Sequence, residues 1–181
     1  MKSGKSLELV SLLSPLRFST VRHRIYQSDR HVRDSGVTSR SGGVLETTKT
    51  TSLDVALHEP VDVVGVDEVH MFDVADIAAV GQLLDRGTKV VVAGIDLDHR
   101  GELFAPVRAL LELGPHTVTY RRAVCDVCRA FNATHTQVLA SGEPFTRQLA
   151  PSTALPDDGT FGYEARCRRC FVRPDAAGSA R

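Results

Sequence analysis

Three clusters of residues in this chain have the types and spacing for chemistry. The first is a quartet of thiols, Cys125 and Cys128 in CDVC and Cys167 and Cys170 in CRRC, the four cysteines of the sequence. Each CxxC can supply two thiolates to one edge of a tetrahedron, and two pairs complete a closed zinc site with Zn–S bonds of about 2.3 Å. Four thiolates leave no position for water or substrate, so such a zinc is structural. A redox dithiol is the competing reading, and two pairs with no further cysteine weigh against it. The second cluster is Ser3-Gly4-Lys5-Ser6, at the head of a short helical pattern. It has the form of the second half of a phosphate-binding loop. Backbone N–H groups at a helix N-terminus cradle phosphates, Lys5 reaches toward them, and the Ser6 hydroxyl can hold magnesium. The full GxxxxGK[ST] pattern needs another glycine, and only three residues precede Gly4. A bare GKS is also compatible with a solvated helix start. The third cluster is the pair Asp67-Glu68, which closes the hydrophobic run VDVVGVDE from Val61 to Glu68. Open α/β sheets place ligands at the carboxyl ends of such strands, and the plainer alternative is two solvated acids.

The surrounding patterns supply the elements that must position these groups. Val61 to Glu68 reads as a buried strand. DVADIAAVGQLLDRG follows as a helix with Asp73 as N-cap, Val74, Ile77, Ala78, Leu83 and Leu84 facing inward, and Gly87 as the stop. TKVVVAGID is a second buried strand, and strand, helix, strand in this rhythm predicts a parallel sheet with a right-handed crossover. Phe104 to Leu113 forms another helix, ended by Gly114. At the N-terminus, Leu7, Val10 and Leu13 face inward and Pro15 ends the helix. With 181 residues the chain has room for one domain and a small appendage. Its 22 basic and 22 acidic residues cancel, which gives no reason to expect nucleic acid or an anionic membrane as partner. No stretch approaches the roughly 20 apolar residues of a membrane span, and no signal peptide is recognisable. Cytoplasmic residence is the expectation, and a reducing cytosol favours metal over disulfide at the cysteines.

In order and spacing, MKSGKS from Met1, DEVHMF from Asp67, AGIDLDHRGELF from Ala93, CDVC and YEARCRRC from Tyr163 resemble the type II thymidine kinases. The corresponding family stretches read GPMFSGKS or similar, DEAQFF, GLDxDFRGxPF and a pair of CxxC knuckles. The resemblance is dense from Val61 to Phe171 and thinner before it. It implies a P-loop NTPase-like α/β fold with a parallel sheet and a small C-terminal zinc-binding lasso domain. It further implies ATP-dependent phosphorylation of the thymidine 5′-hydroxyl, a structural Zn2+, Mg2+ with ATP, and a homotetramer. By the same resemblance Glu68 is the catalytic base, and Ser3, Gly4, Lys5, Ser6, Asp67, Asp29, Arg30 and Arg100 serve ATP and magnesium. Met1, Ile95, His99, Phe104 and Tyr163 match the nucleoside slot. For Arg100 a surface ion pair is the plainer reading, and for Phe104 and Ile95 ordinary packing.

Several positions depart from the family. His99 stands where the family has Phe, His70 where it has Gln, and the DxRY segment becomes Ser28-Asp29-Arg30-His31. The stretch 14–27 is rich in Arg and His and reads as a divergent, solvated connection; 41–52 reads as a variable connection without chemistry. The first loop glycine and the strand that carries it precede the matched segment, so the expectation is that the natural protein begins upstream of Met1. The expected division is a kinase domain over 1–122, a zinc-knuckle lasso over 123–173 and a disordered tail over 174–181. Two other classes are weighed: a family-derived protein that keeps the zinc-stapled fold without phosphoryl transfer, and a zinc-ribbon nucleic-acid binder suggested by Arg121, Arg122, Arg166, Arg168 and Arg169.

Overall fold

The computed structural model describes residues 3–30, 36–38, 44–146 and 159–174; the expectations for Met1, His31 and all but the first residue of the tail lie outside them. The chain groups into two compact units. One comprises residues 4–95 and 105–118, the other the described parts of 96–104 and of the chain from 119 onward, together with Ser3.

The first unit is an α/β sheet. Its strands are β1 (His23–Ser28), β2 (Gly36–Thr38), β3 (Val44–Glu46), β4 (Thr48–Thr50), β5 (Val63–Asp67) and β6 (Lys89–Val92), with helices α1 (Lys5–Leu13), α2 (Val74–Asp85) and α3 (Ala105–Glu112). The main sheet runs β4-β1-β5-β6 and is parallel throughout, while β2 and β3 form a separate antiparallel pair. The predicted strand-helix-strand unit is present as β5-α2-β6, but β6 is half-buried to exposed rather than buried, being the last strand in the sheet order; Gly114, left-handed at φ 69°, follows the end of α3.

Successive residues of the buried strands feed opposite layers, as the period-two pleat requires. Tyr26, Val64, Val66 and Val90 pack with Ile77, Val80 and Leu83 of α2 and with Leu110 of α3. Ile25, Val63 and Val91 pack with Leu9, Val10 and Leu13 of α1. Gly65 lets α1 approach, since a Cβ there would lie 2.5 Å from Leu13 Cδ1.

The structure corrects several expectations. The stretch 14–27 is not merely a solvated connection: it holds most of β1, a central strand whose residues Ile25 to Ser28 are all buried. Two of its arginines are neutralised at the strand entrance, Arg22 by Asp62 at 2.6 Å and Arg24 by Glu59 at 2.7 Å. Segment 41–52 supplies β3 and the edge strand β4. The DE strand begins at Val63 rather than Val61, because Asp62 turns aside to accept the Arg22 amide at 2.9 Å.

Two helix faces also differ from expectation. In α1, Leu9 is buried and Leu7 is exposed. In α2, Ala79 and Val80 are buried, while Val74, Ala78 and Leu84 face outward. The second difference has a polar cause. Buried Asp76 accepts from Ser52 Oγ at 2.7 Å, Leu53 N–H at 2.9 Å and Asp73 N–H at 3.0 Å. Those three donors hold Asp76 on the inner face, since a buried carboxylate must be hydrogen-bonded.

The second unit contains β7 (His135–Ala140), β8 (Glu143–Pro144) and β9 (Phe161–Arg166), antiparallel in the order β8-β7-β9. Its core is small: Ala123, Cys125, Ala133, Ala165 and Cys167, with Cys128 and Cys170 against them.

Candidate functional site

In the sheet unit the candidate residues sit where the strands end and α1 begins. Gly4, left-handed at φ 82°, precedes α1, and Lys5 and Ser6 are its first residues. Strand β5 ends on Asp67, which is 3% exposed. Gln27 of β1 is in register with Asp67, so Ser28, Asp29 and Arg30 leave the sheet beside the carboxylate pair. Arg30 grips Asp73 at 3.0 and 3.3 Å and donates to the Met71 carbonyl at 3.3 Å. It thereby ties the end of β1 to the turn that follows Glu68.

Glu68 itself has φ 49° and ψ 45°. This is the left-handed region, which costs a non-glycine residue roughly 1–2 kcal/mol. The carboxylate is 18% exposed, and its Oε2 lies 3.4 Å from Nδ1 of His70, itself 8% exposed. That Nδ1 accepts the Ile95 amide N–H at 3.3 Å. A ring nitrogen that accepts a hydrogen bond carries no proton in the neutral imidazole, so neutral His70 has no Nδ1 proton to donate to Glu68. Oε2 accordingly accepts no hydrogen bond from the described residues. The result is a buried carboxylate oxygen with its capacity to take a proton unspent.

In the cysteine unit, His99, Arg100 and Phe104 share the hairpin 96–104, and Tyr163 lies in β9 opposite Val138. Arg100 is held by Asp98 at 3.0 Å and Glu102 at 2.8 Å, within its own hairpin. This is the plainer of the two expectations for it. His99 Nε2 is buried without a hydrogen bond among the described residues. Burial lowers the pKa of this imidazole, with Arg100 adding to the effect and Asp98 opposing it. The sequence alone left unread the part played by His70 and the acids on either side of Arg100. The DHRGE pattern itself could have suggested the latter.

The four cysteine sulfurs all lie within 4.8 Å of one another. Cys128 Sγ and Cys167 Sγ are 3.7 Å apart, close to the edge of about 3.8 Å that a tetrahedron with 2.3 Å bonds requires. Burial penalises the Cys125 thiolate, yet the amides of Cys128, Cys167 and Val127 aimed at its sulfur bring the thiol down to about 6. Cys170, hydrogen-bonded to Cys167 and crowded by the other sulfurs, is pushed up to about 12. Such a set holds its last proton unless a cation compensates, and Zn2+ fits both the donor type and the spacing. Arg166 braces the second turn, bonding Glu164 at 2.9 Å and the Cys170 carbonyl at 3.3 Å.

A thymidine kinase family model matches residues 1–171. The chain belongs to the thymidine kinase family. It is 36% identical over 178 residues to the thymidine kinase of Chloroflexus aurantiacus strain J-10-fl, covering 94% of this chain and 90% of that one. To the thymidine kinase of Mycoplasma capricolum it is 34% identical over 184 residues, covering 96% and 86%. Among the described residues of this family member, no helix is long and apolar enough to cross a membrane.

Proposed function

We propose that this chain transfers the γ-phosphoryl group of ATP to the 5′-hydroxyl of thymidine. The observation that carries the reading is Glu68, half-buried just beyond the end of β5 in a conformation its backbone disfavours, with a buried oxygen left open to accept a proton. In the reaction the 5′-oxygen forms its bond to the γ-phosphorus, the bond from that phosphorus to the bridging oxygen of ADP breaks, and Glu68 takes the hydroxyl proton. Positioning and charge stabilisation dominate such transfers. The α1 N-terminus, with Ser3, Gly4, Lys5 and Ser6, receives the phosphates, and Lys5 offsets charge on the transferring oxygens. Asp67 and Ser6, with Asp29 just beyond the end of β1, are the residues that would hold Mg2+; the donor set of buried carboxylate and hydroxyl suits that ion. Bound there with ATP, it neutralises phosphate charge. Arg30 steadies the turn after Glu68, and Arg100 acts near the phosphates once released from its acids.

The nucleoside slot of this reading comprises Ile95, His99, Phe104 and Tyr163, with Met1 outside the described residues. The cysteine quartet holds a structural Zn2+, and the chain works in the cytoplasm as a homotetramer. ADP formation that depends on thymidine and vanishes in Glu68→Ala is the expected result. ADP formation that persists in Glu68→Ala, or none in the parent chain, would overturn the assignment.

A further inference from the structure

The hairpin 96–104 is closed almost entirely upon itself. Phe104 N–H donates to the Asp96 carbonyl at 3.0 Å, Asp98 N–H to Glu102 at 2.7 Å, and Gly101 N–H to Asp98 at 3.0 Å. Asp98 Oδ1 accepts the amides of Arg100 at 2.8 Å and Glu102 at 3.0 Å. These bonds fix the shape of the hairpin from within.

An aromatic pair supports it from outside. His135, the first residue of β7, stacks on Phe171 with ring centroids 4.5 Å apart and planes 25° from parallel. Gly101, at φ 78°, lies against both rings. A Cβ at that position would be 3.3 Å from His135 Cδ2 and 3.5 Å from Phe171 Cε1. Phe171 directly follows Cys170, and its amide donates to the Cys167 carbonyl at 2.9 Å. The ring against which the hairpin rests is therefore placed by the second cysteine turn. His135 is in turn fixed by its strand and by Thr134 Oγ1, 3.0 Å from Nδ1.

We infer that His135 and Phe171 are positioning residues for Arg100: they seat the hairpin that carries it, so the folding of the second cysteine turn sets where Arg100 can act. This rests on the reading of Arg100 as a residue of the phosphoryl-transfer site. The physical chain is short. Gly101 adjoins Arg100, and only glycine tolerates both the positive φ and the ring contact. Loss of either ring removes that support beside Arg100 and leaves the hairpin's internal bonds intact.

The test compares the full chain with His135→Ala, His135→Phe, Arg100→Ala and the His135→Ala/Arg100→Ala double variant, each checked for bound zinc. Phosphorylation of thymidine by ATP is measured alongside hydrogen exchange of the amides at 98–102. His135→Ala should lower kcat roughly 10-fold with zinc retained, and less than about 2-fold in the Arg100→Ala background, the signature of coupled residues. His135→Phe, which keeps a ring on Phe171, should recover kcat to within about 3-fold of the parent. The 98–102 amides should exchange faster in His135→Ala and not in His135→Phe. An equal loss in both backgrounds, or unchanged exchange, would overturn the inference. A parent chain that does not phosphorylate thymidine would instead sink the functional reading, and the exchange data would still decide whether the ring pair seats the hairpin.

Discussion

The two units of this chain solve the problem of stability by different means. The sheet unit buries branched and aromatic side chains on both faces of four parallel strands, including Tyr26, Leu53, Val64, Val66 and Leu83. The cysteine unit gathers alanines and cysteines around its turns. Fully burying a Val or Leu side chain stabilises a fold by about 1.5–3 kcal/mol, and alanine offers much less surface. The first unit has the larger apolar core, and the second, with a smaller one, stands to gain more from a cation that draws its four sulfurs together. Each also positions chemistry differently: β5 presents Glu68 from the interior outward, while the cysteine turn presents its hairpin through a contact between rings.

The sharpest way to break this contrast is to remove one of the four cysteines that could hold a metal ion. Cys125→Ser should abolish zinc retention, and amides of β7 and β9 should lose exchange protection by roughly 1,000-fold or more, while those of β1 and β5 keep theirs. Hydrogen exchange read by mass spectrometry checks this; equal loss in both units would mean that they fold as one. Next in size, Glu68→Gln should lower kcat by roughly 10²–10⁴-fold with no fall in melting temperature, separating the chemistry from the packing that holds it. Gly65→Ala should destabilise the sheet unit by about 1–3 kcal/mol through overpacking against Leu13, leaving the zinc content unchanged. Denaturant titration with a sheet-specific probe measures it.

The smallest effect concerns the exposed Arg22–Asp62 pair. Hydrogen bonds from the Arg22 guanidinium and amide hold the Asp62 carboxyl down to about 2. A depressed carboxylate stabilises the fold above its unfolded range near 4, and that contribution fades as pH falls from about 4 toward about 2. Arg22→Ala should flatten the melting-temperature profile in that window, and high salt should partly mimic the substitution.

What could be read from the sequence was local. The thiol spacing, the residues that open α1 and the acids that close β5 each carry their signal within a few positions. Strand β1 was hidden because its flanks, SPLRFSTVRHR and SDRH, carry the charges of a surface segment. Their neutralising partners, Glu59 and Asp62, lie 35 and 40 residues away. The face of α2 was misread because apolar spacing fits more than one rotation, and the donors from Ser52 and Leu53 that favour Asp76 inside come from another segment. The role of Arg100 divided for a similar reason: its type suggested phosphate, and only coordinates place both acids on its guanidinium.

With Glu68 in its proposed role, its left-handed backbone would set turnover and thermal endurance in opposition at one codon. Glycine or asparagine would relax that turn and harden the protein against heat, so a library screened for heat resistance alone would drift toward inactive variants there.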